Sequence, residues 1–355
     1  MKLCMIGNSG HGLTILNELD RRSDLQLTGF CPGYPDEDCS GFEREVLKKR
    51  QLPVTIYDSY EKMLDCENPD LVVIDGRFCD HGPMAAEALR RNIHVYTDKP
   101  LATSEEDFLN LQEAQKKSRA RVFAMMTMRY EDSYYTAREM VRSGAVGKVR
   151  MLNGQKSYRL GTRPAFFYDR KQFGGITPWV SIHMVDLIQW MIDKKCRTVF
   201  SMQDNHDNRN HGDLETLSLC DFEFEDHIFA SIHTDYYRPQ NAPTHGDDRL
   251  RIVGTEGILE VMSEQITLID SNGLQKVELK TAPELFADCL RRIEEGDYSD
   301  RTDGMYSTYL SLKARESADR QSMLHLSDEE FVKTEGITWT ELKSGGFSAH
   351  EKVAF

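Results

Sequence analysis

The chain of 355 residues carries 58 acidic and 44 basic side chains, which gives a formal net charge of −14 at pH 7. A negative field of this size disfavours nucleic acid and anionic membrane surfaces as partners. The length and the 39% hydrophobic content exceed what one hydrophobic core usually supports, and they predict two domains.

The cysteines and the N-terminal residues predict the compartment. Eight cysteines are spread along the sequence without a CxxC pair, which indicates reduced thiols in a cytoplasmic protein. The first residues, MKLCMIGNSGHG, pass from a short apolar run directly into glycines. No apolar run reaches the length of about 18 residues that a membrane helix needs, so we expect a soluble protein that is not exported.

The first functional motif is a glycine-rich turn between a short strand, KLCMI, and a helix, LTILNELDRR. The turn consists of Gly7, Asn8, Ser9, Gly10, His11 and Gly12. It reads GxSxxG, one small residue away from the dinucleotide-binding pattern GxGxxG. Small residues let the backbone approach a pyrophosphate, and the helix N-terminus supplies amides and a positive dipole. Because such a turn also occurs without a ligand, the motif alone leaves both interpretations open.

Strand and helix patterns alternate through the first part of the chain. LQLTGF, DLVVIDG, IHVYTDK and ARVFAMM are predicted strands, and the helices between them begin near Asp58 or Ser59, near Pro83, and at a capping box of Thr103 and Glu106. This alternation predicts a parallel, doubly wound sheet in a domain of residues 1–127. Ligands of such sheets bind beyond the carboxyl ends of the strands. The candidates at those ends are Cys31, Asp75, His81, Asp98, Lys99, Pro100 and Arg129.

A later helix, GGITPWVSIHMVDLIQWMI, is apolar on most sides, with Thr177 as the expected cap and Pro178 at its first position. Spacings of four, three and four residues place one polar and aromatic stripe on one face: Trp179, His183, Asp186 and Trp190. We expect this stripe to face a cleft or a partner, although a histidine hydrogen-bonded within the core is an alternative.

The second domain is predicted to span residues 128–327 and to form a large, mainly antiparallel sheet, because several strand-like segments alternate with period two. Its helices would cover one face, and the other face would form a homodimer or homotetramer. The histidines of DNHDNRNHGD have no common metal spacing, so no metal site is predicted. Residues 328–355 match no motif, and their role stays open.

The motif DKPLA, Asp98 to Ala102, resembles the EKPLA signature of the glucose-fructose oxidoreductase, inositol dehydrogenase and rhizopine-catabolism (Gfo/Idh/MocA) family. MRYEDSY, SGAVGKVR, GGITPWVSIHMVD and ARESADRQSMLHL resemble later motifs of that family in the same order. The resemblance implies a Rossmann domain followed by an α/β domain with a large open sheet. It also implies an NAD(P)-dependent enzyme that oxidises or reduces a hydroxyl of a sugar, sugar acid or cyclitol.

The resemblance assigns catalytic roles to three residues. It implies that Lys99 reaches both nicotinamide and substrate, and that His183 exchanges the hydroxyl proton. Many members carry an aspartate where this chain has Trp179, and Asp186 is the candidate to replace it. Two alternatives stay open: a non-catalytic dinucleotide sensor, and an NAD-assisted glycosidase or eliminating enzyme without net redox change.

Cofactor choice and substrate contacts complete the predictions. An acidic residue about 20 residues beyond the glycines would bind the adenosine ribose, but Cys31, Pro32 and Gly33 stand there. Asp36 could fold back toward the ribose, which favours NAD over NADP. The predicted substrate contacts are Lys99, Lys156, Arg163, Tyr168, Trp179, His183 and Tyr236, with Arg238 and His245 as further candidates.

Overall fold

A computed structural model describes residues 1–298 and 304–326 of the chain. The predicted C-terminal extension, 328–355, therefore lies outside the described residues. Within the described ranges, no helix combines the length and the apolar composition that crossing a membrane requires.

The first part of the chain forms a six-stranded sheet in the order β3-β2-β1-β4-β5-β6, and every neighbouring pair is parallel. Its strands are Lys2–Ile6 (β1), Gln26–Cys31 (β2), Thr55–Ile56 (β3), Leu71–Ile74 (β4), His94–Thr97 (β5) and Val122–Ala124 (β6). Its helices are Leu16–Arg21 (α1), Ser40–Phe42 (α2), Tyr60–Glu67 (α3), Phe78–Arg90 (α4) and Glu105–Lys117 (α5). The strand order reverses between β1 and β4, which is where doubly wound sheets bind their ligands. The predicted Rossmann architecture is confirmed.

The helix starts agree only partly with the predicted caps. Ser59 caps α3 by accepting a hydrogen bond from the Lys62 amide. The cap of α5 is Ser104, one residue after the predicted Thr103, because Ser104 has the extended backbone that lets its hydroxyl accept from the Asp107 amide at 3.1 Å. Helix α4 begins at Phe78, so Pro83 lies inside it and not at its first turn.

The second sheet has nine strands in the order β14-β13-β12-β11-β7-β10-β9-β8-β15, and it is antiparallel except where β7 and β10 pair in parallel. Its strands are Val149–Tyr158 (β7), Cys196–Asp204 (β8), Leu217–Phe224 (β9), Ile228–Asp235 (β10), Gly246–Gly254 (β11), Gly257–Met262 (β12), Gln265–Asp270 (β13), Gly273–Lys276 (β14) and Leu324–His325 (β15). Residues along β10 alternate between buried and more exposed positions, as in a sheet with one covered face. The predicted large, mainly antiparallel sheet is confirmed.

Five helices accompany the second sheet: Asp132–Arg142 (α6), Arg170–Phe173 (α7), Ile182–Ile192 (α8), Leu285–Glu295 (α9) and Met305–Arg320 (α10). A wide π-helical turn, Thr177–Ser181, precedes α8, and Pro178 lies in its first positions. The Thr177 hydroxyl lies 2.9 Å from that of Ser218 and caps no helix amide. Thr177 is fully buried, so its hydroxyl pairs with the nearest buried hydroxyl, and the predicted cap is wrong.

The last two described helices join the halves of the molecule. Helix α9 packs on the first sheet, where the rings of Phe286 and Tyr96 lie 5.0 Å apart. Helix α10 packs on α8 and β8, and its Thr308 hydroxyl accepts a hydrogen bond from the Leu101 amide at 3.3 Å. These contacts fix the end of β5 against the second sheet. The domain limits 1–127 and 128–327 stay a prediction.

Candidate active site

A cavity of about 220 Å³ lies where the ends of the first sheet meet α8 and the second sheet. Its lining residues are His11, Lys99, Thr127, Met128, Glu131, Lys156, Tyr158, Arg163, Trp179, His183, His245 and Asp248. The structure thus brings together the lysine of DKPLA, the histidine of α8, and a histidine of the glycine-rich turn. Sequence reasoning missed Thr127, Met128, Glu131, Tyr158 and Asp248, of which Glu131 lies in the recognised motif MRYEDSY.

The glycine-rich turn packs tightly against the end of β4. Gly7 has a φ of +77°, and a Cβ there would lie 2.7 Å from the Asp75 carbonyl oxygen. A Cβ on Gly12 would lie 2.6 Å from Asp75 Oδ2 and 2.7 Å from Met5 Cε. The amide of Gly7 donates to the Cys31 carbonyl at 2.8 Å, which fixes the turn against β2 as well. Only glycine fits at both positions, so the turn brings bare backbone to the switch point of the sheet.

Glu37 is the acidic residue that reaches this turn. Its carboxylate accepts hydrogen bonds from the Asn8 amide at 3.0 Å, the Ser9 hydroxyl at 2.5 Å and the Gly33 amide at 2.6 Å. Asp36, the residue expected to fold back, is exposed instead. The loop after β2 therefore supplies the carboxylate one position later than predicted. The two acids are adjacent in sequence, and only the path of the loop decides which one faces the turn.

Two buried carboxyls, Asp75 and Asp98, lie beneath the turn. Asp75 Oδ2 accepts a hydrogen bond from the Gly12 amide at 2.9 Å. Burial, together with the charge of Asp98, raises the pKa of Asp75 well above its usual value. Burial opposes ionisation of Asp98 too, but His11, with Nδ1 3.0 Å from Asp98 Oδ1, and Lys99 hold its pKa below the usual value. The pair therefore carries mainly one negative charge, and His11 lies beside it.

Lys99 is buried at the cavity wall, with only 2% of its surface exposed. Its Nζ donates to the Trp179 carbonyl at 2.8 Å and lies 3.0 Å from the centre of the Trp179 ring. Burial lowers the pKa of Lys99 to about 7, although Asp98 favours the ammonium form, and Lys156 and Arg163 add to the decrease. Near neutral pH this amine can therefore hold or release a proton.

His183 lines the same cavity from the first turn of α8. Burial lowers the pKa of its imidazole well below 6.5, and the nearby Lys99, Lys156 and His11 act in the same direction. Nδ1 has no hydrogen-bond partner among the described residues. The ring is therefore neutral, and its Nδ1 has no hydrogen bond to the described residues; a neutral imidazole can accept a proton.

Asp186 lies on α8 as predicted, but the structure does not bring its carboxylate to His183. Its two oxygens accept from Arg129, Nε at 2.6 Å and Nη2 at 2.7 Å, and Oδ1 also accepts from the Ser307 hydroxyl at 2.6 Å. Arg129, predicted to contact the cofactor, is buried in this pair. Both residues connect α8 with the segment after β6 and with α10.

His81 and Pro100, two further predicted cofactor residues, contact each other. The ring nitrogens of His81 lie 3.0 Å from the Pro100 carbonyl oxygen and 3.1 Å from that of Gly76. His81 therefore connects α4 to the loops after β4 and β5. The Lys99–Pro100 peptide bond is cis. The contact of His81 with the Pro100 carbonyl helps to fix the loop that carries Lys99.

The predicted substrate residues divide into two groups. Lys156 and Arg163 line the cavity, and Lys156 pairs with Asp248 at 2.6 Å. Burial lowers the pKa of Lys156, although Asp248 favours its charged form. Tyr168 lies outside the cavity, 39% exposed, and stacks on His211.

Three further candidates for substrate binding, Tyr236, Arg238 and His245, differ in where they lie relative to the cavity. Tyr236 is buried behind it, with the Arg163 guanidinium 5.2 Å from its ring centre. Arg238 binds Thr244 and Asp247 and does not line the cavity. His245 does line it, and its ring lies 5.2 Å from that of Tyr158.

Comparison with known families agrees with this architecture. Residues 1–126 match the family described as "Oxidoreductase family, NAD-binding Rossmann fold", and residues 134–260 match the "GFO/IDH/MocA C-terminal domain". The chain belongs to the Gfo/Idh/MocA family. Its first domain is therefore the NAD-binding Rossmann fold of a family of oxidoreductases, as the motifs predicted.

Individual relatives place the chain within this family. A protein from Thermotoga maritima, provisionally named an oxidoreductase, is 40% identical, and its structure superimposes with a TM-score of 0.88 over 92% of this chain and 100% of that chain. Inositol 2-dehydrogenase of Salmonella typhimurium is 25% identical over 45% of this chain and 46% of its own length. The chain thus spans about half the length of that curated relative. Levoglucosan dehydrogenase, solved with NADH and levoglucosan, has a TM-score of 0.78 at 15% identity over 92% and 99% of the two chains, which shows a common fold.

The residues of this chain fit the nicotinamide dinucleotide that the family implies. The glycines leave bare backbone at the turn, and Glu37 places a carboxylate beside it, as recognition of ribose hydroxyls requires. Burial and the charge of Asp98 raise the pKa of Asp75, which favours its neutral form, and Asp98 is paired with His11, so both effects reduce the repulsion of a pyrophosphate. When bound, such a cofactor supplies the acceptor or donor of hydride.

Proposed function

We propose that this protein is an NAD-dependent dehydrogenase acting on a hydroxyl of a sugar, sugar acid or cyclitol. The observation that carries the proposal is the convergence of Lys99 and His183, from two domains, on one cavity that also contains His11 of the glycine-rich turn. Oxidation of a secondary alcohol needs a group that takes the hydroxyl proton and a group that stabilises the alkoxide, both at the reacting carbon. This cavity provides both groups.

His183 is the proposed proton acceptor. Its lowered pKa keeps the imidazole neutral, so it is ready to take the hydroxyl proton without first losing one. Protonation of His183 costs free energy in this buried, cationic site. The negative charge that develops on the substrate oxygen offsets part of that cost.

Lys99 is the proposed partner of the developing alkoxide. In its ammonium form, Nζ offers hydrogens to the reacting oxygen, and the Trp179 carbonyl and ring hold it at the cavity wall. Trp179 itself stacks on Phe78, with ring centres 3.9 Å apart, and closes this side of the cavity with an apolar surface. Exclusion of water by that surface strengthens the interaction between the ammonium and the alkoxide.

Asp186 and Arg129 are proposed as positioning residues. Their mutual ion pair fixes α8, and with it the ring of His183, relative to the segment after β6. We propose that Asp186 does not replace the usual family carboxylate beside the histidine, because its oxygens bind Arg129 and Ser307.

NAD is the proposed cofactor in preference to NADP. The Glu37 carboxylate lies against Asn8 and Ser9, where the adenosine ribose of a bound dinucleotide would lie. A carboxylate there accepts hydrogen bonds from both ribose hydroxyls, but it repels a 2′-phosphate.

A homodimer through the second sheet is the proposed assembly. The open face of this sheet exposes large apolar side chains on four of its strands: Met151, Met202, Phe229 and Met262, between 38% and 52% exposed. Exposed apolar side chains on one face of a sheet favour association through that face, and a twofold homodimer is the commonest form of such an assembly.

The function is tested with sugars, sugar acids and cyclitols supplied with NAD or NADP, while absorbance of the reduced nicotinamide is followed. We expect Lys99→Met and His183→Ala each to lower kcat by about two to four orders of magnitude, since removal of a proton-transfer group typically costs about that much. NAD affinity should change little. Lys62→Met, at an exposed position, is the matched control.

Three results would contradict the proposal. Near-full activity of His183→Ala would require another proton acceptor. Turnover of a glycoside without any change in nicotinamide absorbance would indicate an NAD-assisted glycosidase or eliminating enzyme. Binding of NAD without turnover of any compound in the panel would indicate a dinucleotide sensor.

A further inference from the structure

The cavity contains three basic side chains, and they differ in how their charge is compensated. Lys156 pairs with Asp248 at 2.6 Å, and Asp98 favours the charged form of Lys99. For Arg163, no carboxylate of the described residues lies within ion-pair distance. The other acid of the cavity is Glu131, whose pKa is raised by burial to about 7 and which interacts electrostatically with Lys156. Arg163 therefore keeps a positive charge that no carboxylate of the described residues pairs with.

The guanidinium of Arg163 is held in place by apolar and neutral groups. It lies 5.5 Å from the ring centre of Phe167 and 5.2 Å from that of Tyr236, and Nη2 donates to the Arg159 carbonyl at 3.3 Å. Its Nε is buried and has no hydrogen-bond partner among the described residues. Aromatic faces orient a guanidinium without using its N–H groups, so the Nη1 hydrogens and the second Nη2 hydrogen stay available to a ligand.

This positive charge acts on the neighbouring groups. Arg163 contributes to the lowered pKa of Lys99, and Lys156 acts on both Lys99 and His183 in the same direction. A bound anion would offset these repulsions and favour the ammonium form of Lys99, which the proposed reaction needs. The cavity is therefore better matched to an anionic ligand than to a neutral one.

The size of the cavity limits the ligand. Its volume of about 220 Å³ is below the range of roughly 300–1,000 Å³ that drug-sized ligands occupy, so it suits a single sugar ring or an open-chain sugar. The planar guanidinium fork matches the two oxygens of a carboxylate, with two parallel hydrogen bonds. A phosphate shares this chemistry but adds bulk and a second charge.

We propose that the substrate of this dehydrogenase is a sugar acid of monosaccharide size, whose carboxylate binds Arg163 while its reacting hydroxyl lies between Lys99 and His183. The proposal rests on the proposed function for the identity of the reacting groups. The contact with Arg163 decides between acids and the neutral sugars of the same configuration.

The test measures binding by calorimetry, with and without NAD, for pairs that differ only at C6: glucose and glucuronate, galactose and galacturonate, mannose and mannuronate. We expect the acid of at least one pair to bind at least tenfold more tightly than its neutral partner. Glucose 6-phosphate is the third member of the glucose set. Tighter binding of this phosphate than of every acid would overturn the assignment of a carboxylate.

Substitutions of Arg163 and of the nearby Arg159 test whether Arg163 contacts the substrate carboxylate. Arg163→Met should remove the preference for the acid, and Arg163→Lys should restore part of it, because lysine keeps the charge but not the fork. Arg159→Met, which removes an equal charge from a side chain that bonds the Ala242 carbonyl, should keep the preference. Equal binding of acids and neutral sugars, or equal loss in the Arg163 and Arg159 variants, would overturn the proposal.

Absorbance of the reduced nicotinamide, measured on the same compounds, separates this inference from the proposed function. Binding of an acid that depends on Arg163 but yields no NADH would refute the dehydrogenase and leave the carboxylate site in place. Formation of NADH from a neutral sugar, with kcat/KM unchanged in Arg163→Met, would refute the carboxylate site and leave the dehydrogenase in place.

Discussion

Arg129 and Asp186, 57 residues apart in the sequence, form a buried bidentate ion pair with N–O distances of 2.6 and 2.7 Å. Both side chains are at most 4% exposed, and Ser307 on α10 adds a third hydrogen bond. One pair thus joins three elements behind the wall of the cavity. This arrangement supports the proposal that Asp186 positions α8.

Loss of this ion pair should mainly affect stability. Asp186→Asn removes the carboxylate charge from a buried bidentate ion pair with Arg129, and breaking a buried pair typically costs about 3–5 kcal/mol of the free energy of unfolding. Urea denaturation measures this cost. In the folded fraction, the pH dependence of kcat should match that of the wild type. A stable Asp186→Asn protein whose pH profile is altered would instead show that Asp186 takes part in proton transfer.

The pH dependence of oxidation should show the titration of Lys99. Burial lowers its pKa to about 7, so the ammonium form predominates below pH 7 and is lost above it. If this cation holds the alkoxide, kcat/KM should fall about tenfold per pH unit above that value. The residual activity of Lys99→Met should lack this decrease. A rise of kcat/KM over the same range would mean that Lys99 accepts the proton and that His183 positions the hydroxyl.

The glycine-rich turn should not tolerate a side chain at Gly12. In Gly12→Ala, the new Cβ would lie 2.6 Å from Asp75 Oδ2, so the turn must shift and its contact with a pyrophosphate weakens. We expect NAD affinity, measured by titration of the folded protein, to fall at least tenfold, or about 1.4 kcal/mol. Gly41→Ala is the matched control, because no atom lies within 4 Å of the corresponding Cβ. Unchanged affinity in Gly12→Ala would show that the turn does not bind the cofactor.

Cofactor preference should depend on Glu37. Glu37→Ser removes the carboxylate that repels a 2′-phosphate, so the ratio of NADP affinity to NAD affinity should rise at least tenfold. Asp36→Ser, at the exposed neighbouring position, should leave the ratio unchanged. A change of equal size in both variants would show that the affinity ratio depends on general surface charge and not on Glu37 in particular. No change in either would place the ribose elsewhere.

Association should depend on the open face of the second sheet. Phe229→Lys places a charge beside Met151 on this face and should shift a dimer to monomer at micromolar concentration, measured by sedimentation. Ile56→Lys, at a residue with the same 52% exposure on the first sheet, is the control. A monomeric wild-type protein under these conditions would remove the proposed interface.

The sequence by itself determined the local structure of the site and its fold class. The alternation of strands and helices predicted the parallel sheet, and period-two alternation predicted the large antiparallel sheet. The same periodicity placed the glycine-rich turn and Lys99 at strand ends, and His183 on a helix. These features depend on neighbours along the chain, so the pattern of residues is enough to specify them.

The tertiary structure alone decided which side chains meet. Helical spacing placed His183 and Asp186 on one face, but their partners come from residues far away in sequence: His183 faces Lys99, whereas Asp186 binds Arg129. Glu37, and not Asp36, reaches the glycine-rich turn because the loop after β2 folds back by a path that no local pattern encodes. The charge state of Lys99 likewise follows from burial between two domains, a property of the assembled fold.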